Sequence, residues 1–177
     1  MRGRQNKRRF RLEETLALLL LAGTPAAPAD ALDPPIFVGK GLDATVTAAV
    51  RIASRKLEIP ACRMIFSDFK DGFGHTLQEN LDTLGQTGRG YLGWLIFHSG
   101  DDRPVRRACQ NSSILAATEP GSRVIRICPQ RFRERQLQSP GFAAAMIIHE
   151  ELHSLGLGEN PPDSKEITQQ VIARCGR

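Results

Sequence analysis

The sequence predicts an α+β domain in which a long N-terminal helix, a buried helix near the C-terminus and a short last helix pack with a small mixed or antiparallel sheet. Three observations predict it. Residues 42–57 carry apolar side chains at helical spacing, and Ser139-Pro140 opens a second run that is apolar almost all round. Short stretches rich in Ile, Val, Leu and Phe at 62–69, 91–97, 113–118 and 123–128 are broken by Gly-, Pro- and Ser-bearing turns. The chain has 177 residues, enough for one domain with a real core and too few for two.

The start of the chain is unlike the rest. Arg2, Arg4, Lys7, Arg8, Arg9 and Arg11 precede the apolar run Leu16-Ala17-Leu18-Leu19-Leu20-Leu21-Ala22, and Ala29-Asp30-Ala31 has the small-residue pattern of a cleavage site. Residues 1–31 therefore read as a secretory signal peptide and 32–177 as the domain, which makes the protein secreted or periplasmic. The apolar run falls well short of the roughly 20 residues that span a bilayer, so no stable membrane insertion is expected after cleavage. Six basic and three acidic residues lie in the leader, so of 24 Lys+Arg and 19 Asp+Glu the remainder keeps 18 and 16, a net charge of +2. The overall basicity is thus mostly the leader, and nucleic acid is not an expected partner. The basic groups at Arg103-Arg106-Arg107 and Arg131-Arg133-Arg135 read as solvated faces, because the aromatic interleaving needed for stacking on bases is absent. All four cysteines, Cys62, Cys109, Cys128 and Cys175, follow the leader. An even number in an oxidising compartment implies two disulfides, with three connectivities open; no C-x-x-C pair supports a cysteine metal site.

In chain order, Asp33-Pro34-Pro35 is an extended linker, because proline biases its predecessor away from the helical region. Apolar residues at 42, 46, 49, 50, 53 and 57 predict a helix with Arg51, Arg55 and Lys56 on its outer face, ended by Pro60. A strand is expected over 62–69, a loop over 70–75, a short helix over 76–84, a loop over 85–90 and a strand over 91–97. A hairpin follows, its arms at 113–118 and 123–128 and its turn at Glu119-Pro120-Gly121-Ser122, where Pro and Gly occupy the centre of a type II turn. Residues 129–137 form a short basic helix. Ser139 is the N-cap of the next helix and Pro140 its first-turn residue, where the missing N–H is harmless. Phe142, Ala143, Ala144, Ala145, Met146, Ile147 and Ile148 bury it, and Gly156 supplies the left-handed residue that ends it. A last helix spans 164–173, with Cys175 placed to staple it.

The chemistry is concentrated in His149-Glu150-Glu151-Leu152-His153. With 4 His and 10 Glu in the chain, chance produces H-E-x-x-H only about 0.005 times. On a helix, positions i and i+4 share one face, which lets two imidazoles reach one zinc ion while the glutamate sits beside it as a general base. A catalytic zinc takes three protein ligands and keeps one position open. Gly156 allows a turn that carries Glu159 back toward the histidines, making Glu159 the first choice for the third ligand. Glu166 is the alternative, although Asp163-Ser164-Lys165-Glu166 also has the pattern of a capping box, and Asp163 or no further protein ligand remain open.

The extended motif His149-Glu150-x-x-His153-x-x-Gly156-x-x-Glu159 resembles the metzincin zinc signature H-E-x-x-H-x-x-G-x-x-H, and Ser154-Leu155-Gly156-Leu157-Gly158 is similar to the turn of the matrix-metalloprotease branch. The resemblance covers residues 149–159; upstream it extends only to the order of elements. It implies a minimal, divergent zincin-like domain with Zn2+ on His149, His153 and Glu159, Glu150 as catalytic base, and a peptide or protein substrate cut by zinc-activated water. Two departures stand out. The third ligand is a carboxylate rather than histidine, and no methionine follows Met146 to form a methionine turn. The zincin plan also implies that an edge strand, here 92–97, pairs with an extended substrate. His75 and His98 are the only other histidines and read as solvated loop residues. Tyr91, the sole tyrosine, reads as core rather than as a polariser of a scissile carbonyl. The rival class is a non-catalytic exported module, stapled by disulfides, with a structural or vestigial zinc site.

Overall fold

A computed structural model describes residues 35–101 and 108–176. The leader over 1–31, the start of the proline linker and the Arg103-Arg106-Arg107 group lie outside the described residues. The domain is mixed α+β, as the sequence predicts. Its first helix, α1 (Asp43–Lys56), buries Val46, Ala49, Val50 and Ala53 at the predicted spacing. These residues face α7 (Pro140–Ser154), which brings Ala143, Ala144, Ile147, Ile148 and Leu152 into the same core. The alanines on both helices leave room for close packing.

The sheet has four short strands in the order β1-β2-β4-β3: β1 (Phe37–Val38), β2 (Ile96–Ser99), β4 (Val124–Ile127) and β3 (Ala116–Ala117). The β1–β2 and β2–β4 pairs are parallel, while β3 runs antiparallel to β4 with Ala116 opposite Ile127. The hairpin turn forms as its residues dictate. Ser122 N–H donates to the Glu119 carbonyl at 2.9 Å, and Gly121 takes φ +80°, which only glycine adopts without strain.

Two expected strands are different in the structure. Residues 62–69 are not a strand but two helical turns, α2 (Pro60–Arg63) and α3 (Ile65–Asp68). The buried residues are Cys62, Ile65 and Phe66, a 3–4 spacing that suits a helical face, and Pro60 starts α2 instead of ending α1. Within 91–97 only the end is extended. Tyr91 and Leu92 close α5 (Gly88–Leu92), whose Thr87 cap accepts from Gly90 N–H at 3.0 Å. Tyr91, Leu92 and Leu95 are all buried, again a helical spacing. The strand that does form, β2, lies between β1 and β4 and is therefore no edge; among the described residues the edge strand beside α7 is β3.

The remaining helices follow the expected ranges: α4 (Leu77–Thr83), capped by a Thr76–Glu79 box, α6 (Pro129–Gln138) and α8 (Ser164–Cys175). Ser139 does occupy the N-cap of α7, but its side chain makes no cap hydrogen bond. Arg131 on α6 is not simply solvated: its guanidinium donates to the carbonyls of Cys109, Asn111 and Ile114, clamping the chain that leads into β3.

Both disulfides form. Cys62–Cys175 joins α2 to the end of α8 over a separation of 113 residues, and Cys109–Cys128 closes a span of 19. By loop-closure entropy these restrict the unfolded chain by roughly 5 and roughly 3 kcal/mol. Such pairs persist in oxidising surroundings. Among the described residues no helix is long and apolar enough to cross a membrane.

Candidate metal centre

The site is built on the C-terminal half of α7. Because the helix is buried on nearly every side, His149 and His153 have little freedom, and both are almost fully buried. Their rings meet edge to face, with centroids 4.7 Å apart and Nε2 atoms 2.9 Å apart. The helix then stops in a Schellman arrangement: Gly156 N–H donates to the His153 carbonyl at 2.8 Å and Leu157 N–H to the Leu152 carbonyl at 3.1 Å. Gly156 takes φ +108°, which favours glycine, and a Cβ there would crowd Asp71 Cβ at 3.1 Å. This turn returns the chain to the histidines. Glu159 Oε1 lies 3.2 Å from His153 Nε2 and 3.8 Å from His149 Nε2.

The protonation pattern follows from the partners. His153 Nδ1 is 2.7 Å from the Leu157 carbonyl, which can only accept, so Nδ1 carries a hydrogen and Nε2 is the nitrogen turned toward His149 and Glu159. His149 Nδ1 meets the Thr168 hydroxyl at 3.0 Å. Burial, and secondly the neighbouring His153, lower the His149 pKa to about 3, so this ring is neutral in ordinary conditions. Two imidazole Nε2 atoms and one carboxylate oxygen thus converge on a single point. Three electron-rich atoms at such distances repel one another unless a proton or a cation lies between them.

The spacing suits a cation. Zinc bonds of about 2.0–2.1 Å in a tetrahedron set ligand atoms about 3.3 Å apart, and the three separations, 2.9, 3.2 and 3.8 Å, bracket that value. Among the described residues this is the group of His, Cys, Asp and Glu side chains that could hold a metal ion. Glu166 stays away from it. Its carboxylate accepts from Asp163 N–H at 2.9 Å while Asp163 accepts from Glu166 N–H at 2.8 Å, so the capping box engages both residues.

Glu150 projects beside the three acceptors into a groove of about 1120 Å³. Its carboxyl is buried, and Oε2 has no hydrogen-bond partner. Burial, with a smaller contribution from the Glu159 charge, raises its pKa to about 8. Thr118 opposes that shift from close by, yet its hydroxyl has no hydrogen bond of proper geometry and also remains without a partner. Met146 and Phe142, one and two turns before His149, continue the same face of α7 as an apolar wall. The segment through β3 forms the opposite wall, and Lys165 and Thr168 of α8 a third.

The other sequence candidates do not join the groove. His75 is exposed and pairs with Asp71 at 3.5 Å, and His98 is exposed on β2. Tyr91 is buried, its hydroxyl 2.9 Å from Ser154 Oγ on the side of α7 away from the histidines, which is a packing role. Thr168 and Thr118 are the site residues that sequence reasoning missed. Thr168 lies 19 residues from His149 on another helix, with no motif to announce it. No family model, no curated protein and no solved structure matches this chain.

Proposed function

We propose that the chain is an exported zinc-dependent hydrolase of zincin type that cleaves peptide bonds, with His149, His153 and Glu159 as metal ligands and Glu150 as general base. The convergence of three electron-rich atoms beside an unpartnered buried carboxyl carries this reading. Bound there, zinc supplies a Lewis acid that acidifies water and polarises a carbonyl. Glu150 takes the proton of the attacking water and returns it to the departing amine nitrogen. A C–O bond forms, the C–N bond breaks, and Glu150 ends as it began.

The groove supports an extended peptide as substrate. The outer edge of β3 carries no strand among the described residues, so its backbone groups are free to pair with a peptide laid along the wall. Three protein ligands with an open side, and a Glu159 side chain 52 % exposed, differ from the closed four-ligand cage of a structural zinc. The two disulfides support export, since they need an oxidising compartment.

Zinc content under metal-buffered conditions, together with hydrolysis of an unfolded fluorogenic protein, tests the proposal. Wild type is expected to bind one zinc, the double variant His149→Ala/His153→Ala none, and Glu150→Gln to keep the metal but lose hydrolysis. Zinc retained by the double variant overturns the ligand set. Zinc bound by wild type without hydrolysis leaves a metal-holding module instead of an enzyme.

A further inference from the structure

We infer that Thr168 is the positioning residue for His149, and that α8 is an anchored mount that holds it there; this rests on the metal ligand set proposed above. A ligating imidazole needs its second nitrogen tied, since that bond fixes both ring orientation and tautomer. His153 is tied by the turn that ends its own helix. His149 has no such local partner: its Nδ1 is met by Thr168 Oγ1 at 3.0 Å, from a different helix. The two ligands are therefore held by unlike means. One depends on α7 alone, the other on how α8 is docked.

α8 packs on α7 through its buried face, and its far end carries further links to other helices. Ile167, Val171 and Cys175 face the core, and Cys175 is bonded to Cys62. Its carbonyl accepts from Lys56 Nζ at 2.6 Å. Asp68 accepts from Arg174 Nε at 2.7 Å and Nη2 at 2.8 Å, and from Gln170 Nε2 at 2.9 Å. These links tie α8 to α1, α2 and α3, none of which contributes to the groove. Seven residues, about 10 Å of helix, separate Cys175 from Thr168. The capping box at Asp163–Glu166 stiffens the near end without attaching it to α7. A helix held by its packing on α7 and by these links at its far end changes its seat when the links are cut. Thr168 is thereby coupled to the Cys62–Cys175 bond and to Asp68.

Zinc affinity by chelator competition, read beside the imidazole 15N shifts of His149, tests this in the full mature chain. Thr168→Val, which keeps shape and removes the hydroxyl, is expected to weaken zinc binding 10–100-fold and to shift the imidazole 15N resonances of His149 in the metal-free chain. Thr168→Ser is expected to restore both, and the melting temperature of the metal-free chain to remain unchanged. Asp68→Ala, with both disulfides intact, is expected to weaken zinc binding in the same direction but less, and Cys62→Ser/Cys175→Ser more. Should the double cysteine variant fail to fold, Asp68→Ala carries the anchor claim. Thr168→Val binding zinc within about twofold of wild type overturns the role of Thr168. Thr168→Val weakening with Asp68→Ala unchanged overturns the anchor. If wild type itself binds no zinc through His149, the ligand assignment fails instead, a result that His149→Ala reports directly.

Discussion

Glu150 and Glu151 are neighbours on α7, both buried, both with a carboxyl pKa raised chiefly by burial, and both with oxygens that find no hydrogen-bond partner. The helix turns them in different directions. Glu150 opens on the groove beside His149, His153 and Glu159, while Glu151 is sealed in the core near Tyr91, whose own pKa its charge helps to raise after burial. Leaving a buried carboxyl unsatisfied costs about 1–3 kcal/mol in either place. On the groove face that cost coincides with the role proposed for Glu150, since a general base must keep an oxygen free for a proton. On the hidden face no such use is evident, and we have no physical account of why Glu151 is a glutamate. Perturbed carboxyls thus point to chemistry only when something reactive shares their space.

The sharpest test of this contrast is a pair of isosteric changes. In the zinc-loaded chain Glu150→Gln is expected to lower kcat/KM by 10²–10⁴-fold, the usual worth of a positioned base. Glu151→Gln is expected to leave it within about threefold. Equal losses in steady-state hydrolysis would erase the distinction between the two faces.

The end of α7, where both faces meet, comes next in size. Gly156→Ala puts a side chain at φ +108° and against Asp71, a strain of about 1–3 kcal/mol. The expected result is a melting temperature lower by about 4–8 °C and weaker zinc binding, because the turn also delivers Glu159 and the Leu157 carbonyl. Unchanged zinc affinity in a destabilised variant would separate the turn from the site.

These expectations were legible to different degrees. The motif helix, its proline start, its glycine stop and the return of Glu159 follow from local rules, and local rules act within a few residues. The capping box that engages Glu166 was readable for the same reason. Residues 62–69 form helical turns where a strand is expected because a short apolar run has no period of its own, and their packing against α8 through Cys62–Cys175 is a tertiary fact. The edge strand was misplaced because strand order depends on pairings between distant segments. Thr168 was invisible for a similar reason: it reaches His149 only once α8 is docked.

Stability against pH sharpens the hidden face. The raised Glu151 pKa means that above about pH 4.5 the folded chain holds a proton that the unfolded chain has released. Stability therefore falls as pH rises, at up to about 1.4 kcal/mol per pH unit for one group. Glu150 adds to this slope in the metal-free chain, up to its pKa of about 8. Glu151→Met removes one of the two carboxyls and fills similar space. It is expected to stabilise the metal-free chain by about 1–3 kcal/mol at pH 5 and by more at pH 8, measured by urea unfolding. A gain that shrinks with pH would mean that Glu151 finds a partner that stabilises its charge.

The smallest effect concerns the support beneath the turn. Asn80 Nδ2 donates to Asp71 Oδ2 at 3.0 Å and to the Leu155 carbonyl at 2.9 Å, so one amide joins the 71–75 loop to the end of α7. That bond is the main cause holding the Asp71 pKa down at about 2, helped by the Phe73 and His75 N–H groups. A depressed carboxylate pKa stabilises the fold above about pH 4, and the contribution disappears as pH falls toward 2. Asn80→Ala is expected to lower the melting temperature at pH 7 by about 2–4 °C and to flatten its decline between pH 4 and 2. Because Asn80 touches no proposed ligand, its effect on zinc affinity should be small beside that of Gly156→Ala. A comparable loss of zinc binding would show that the loop, rather than the glycine alone, sets where Glu159 lies.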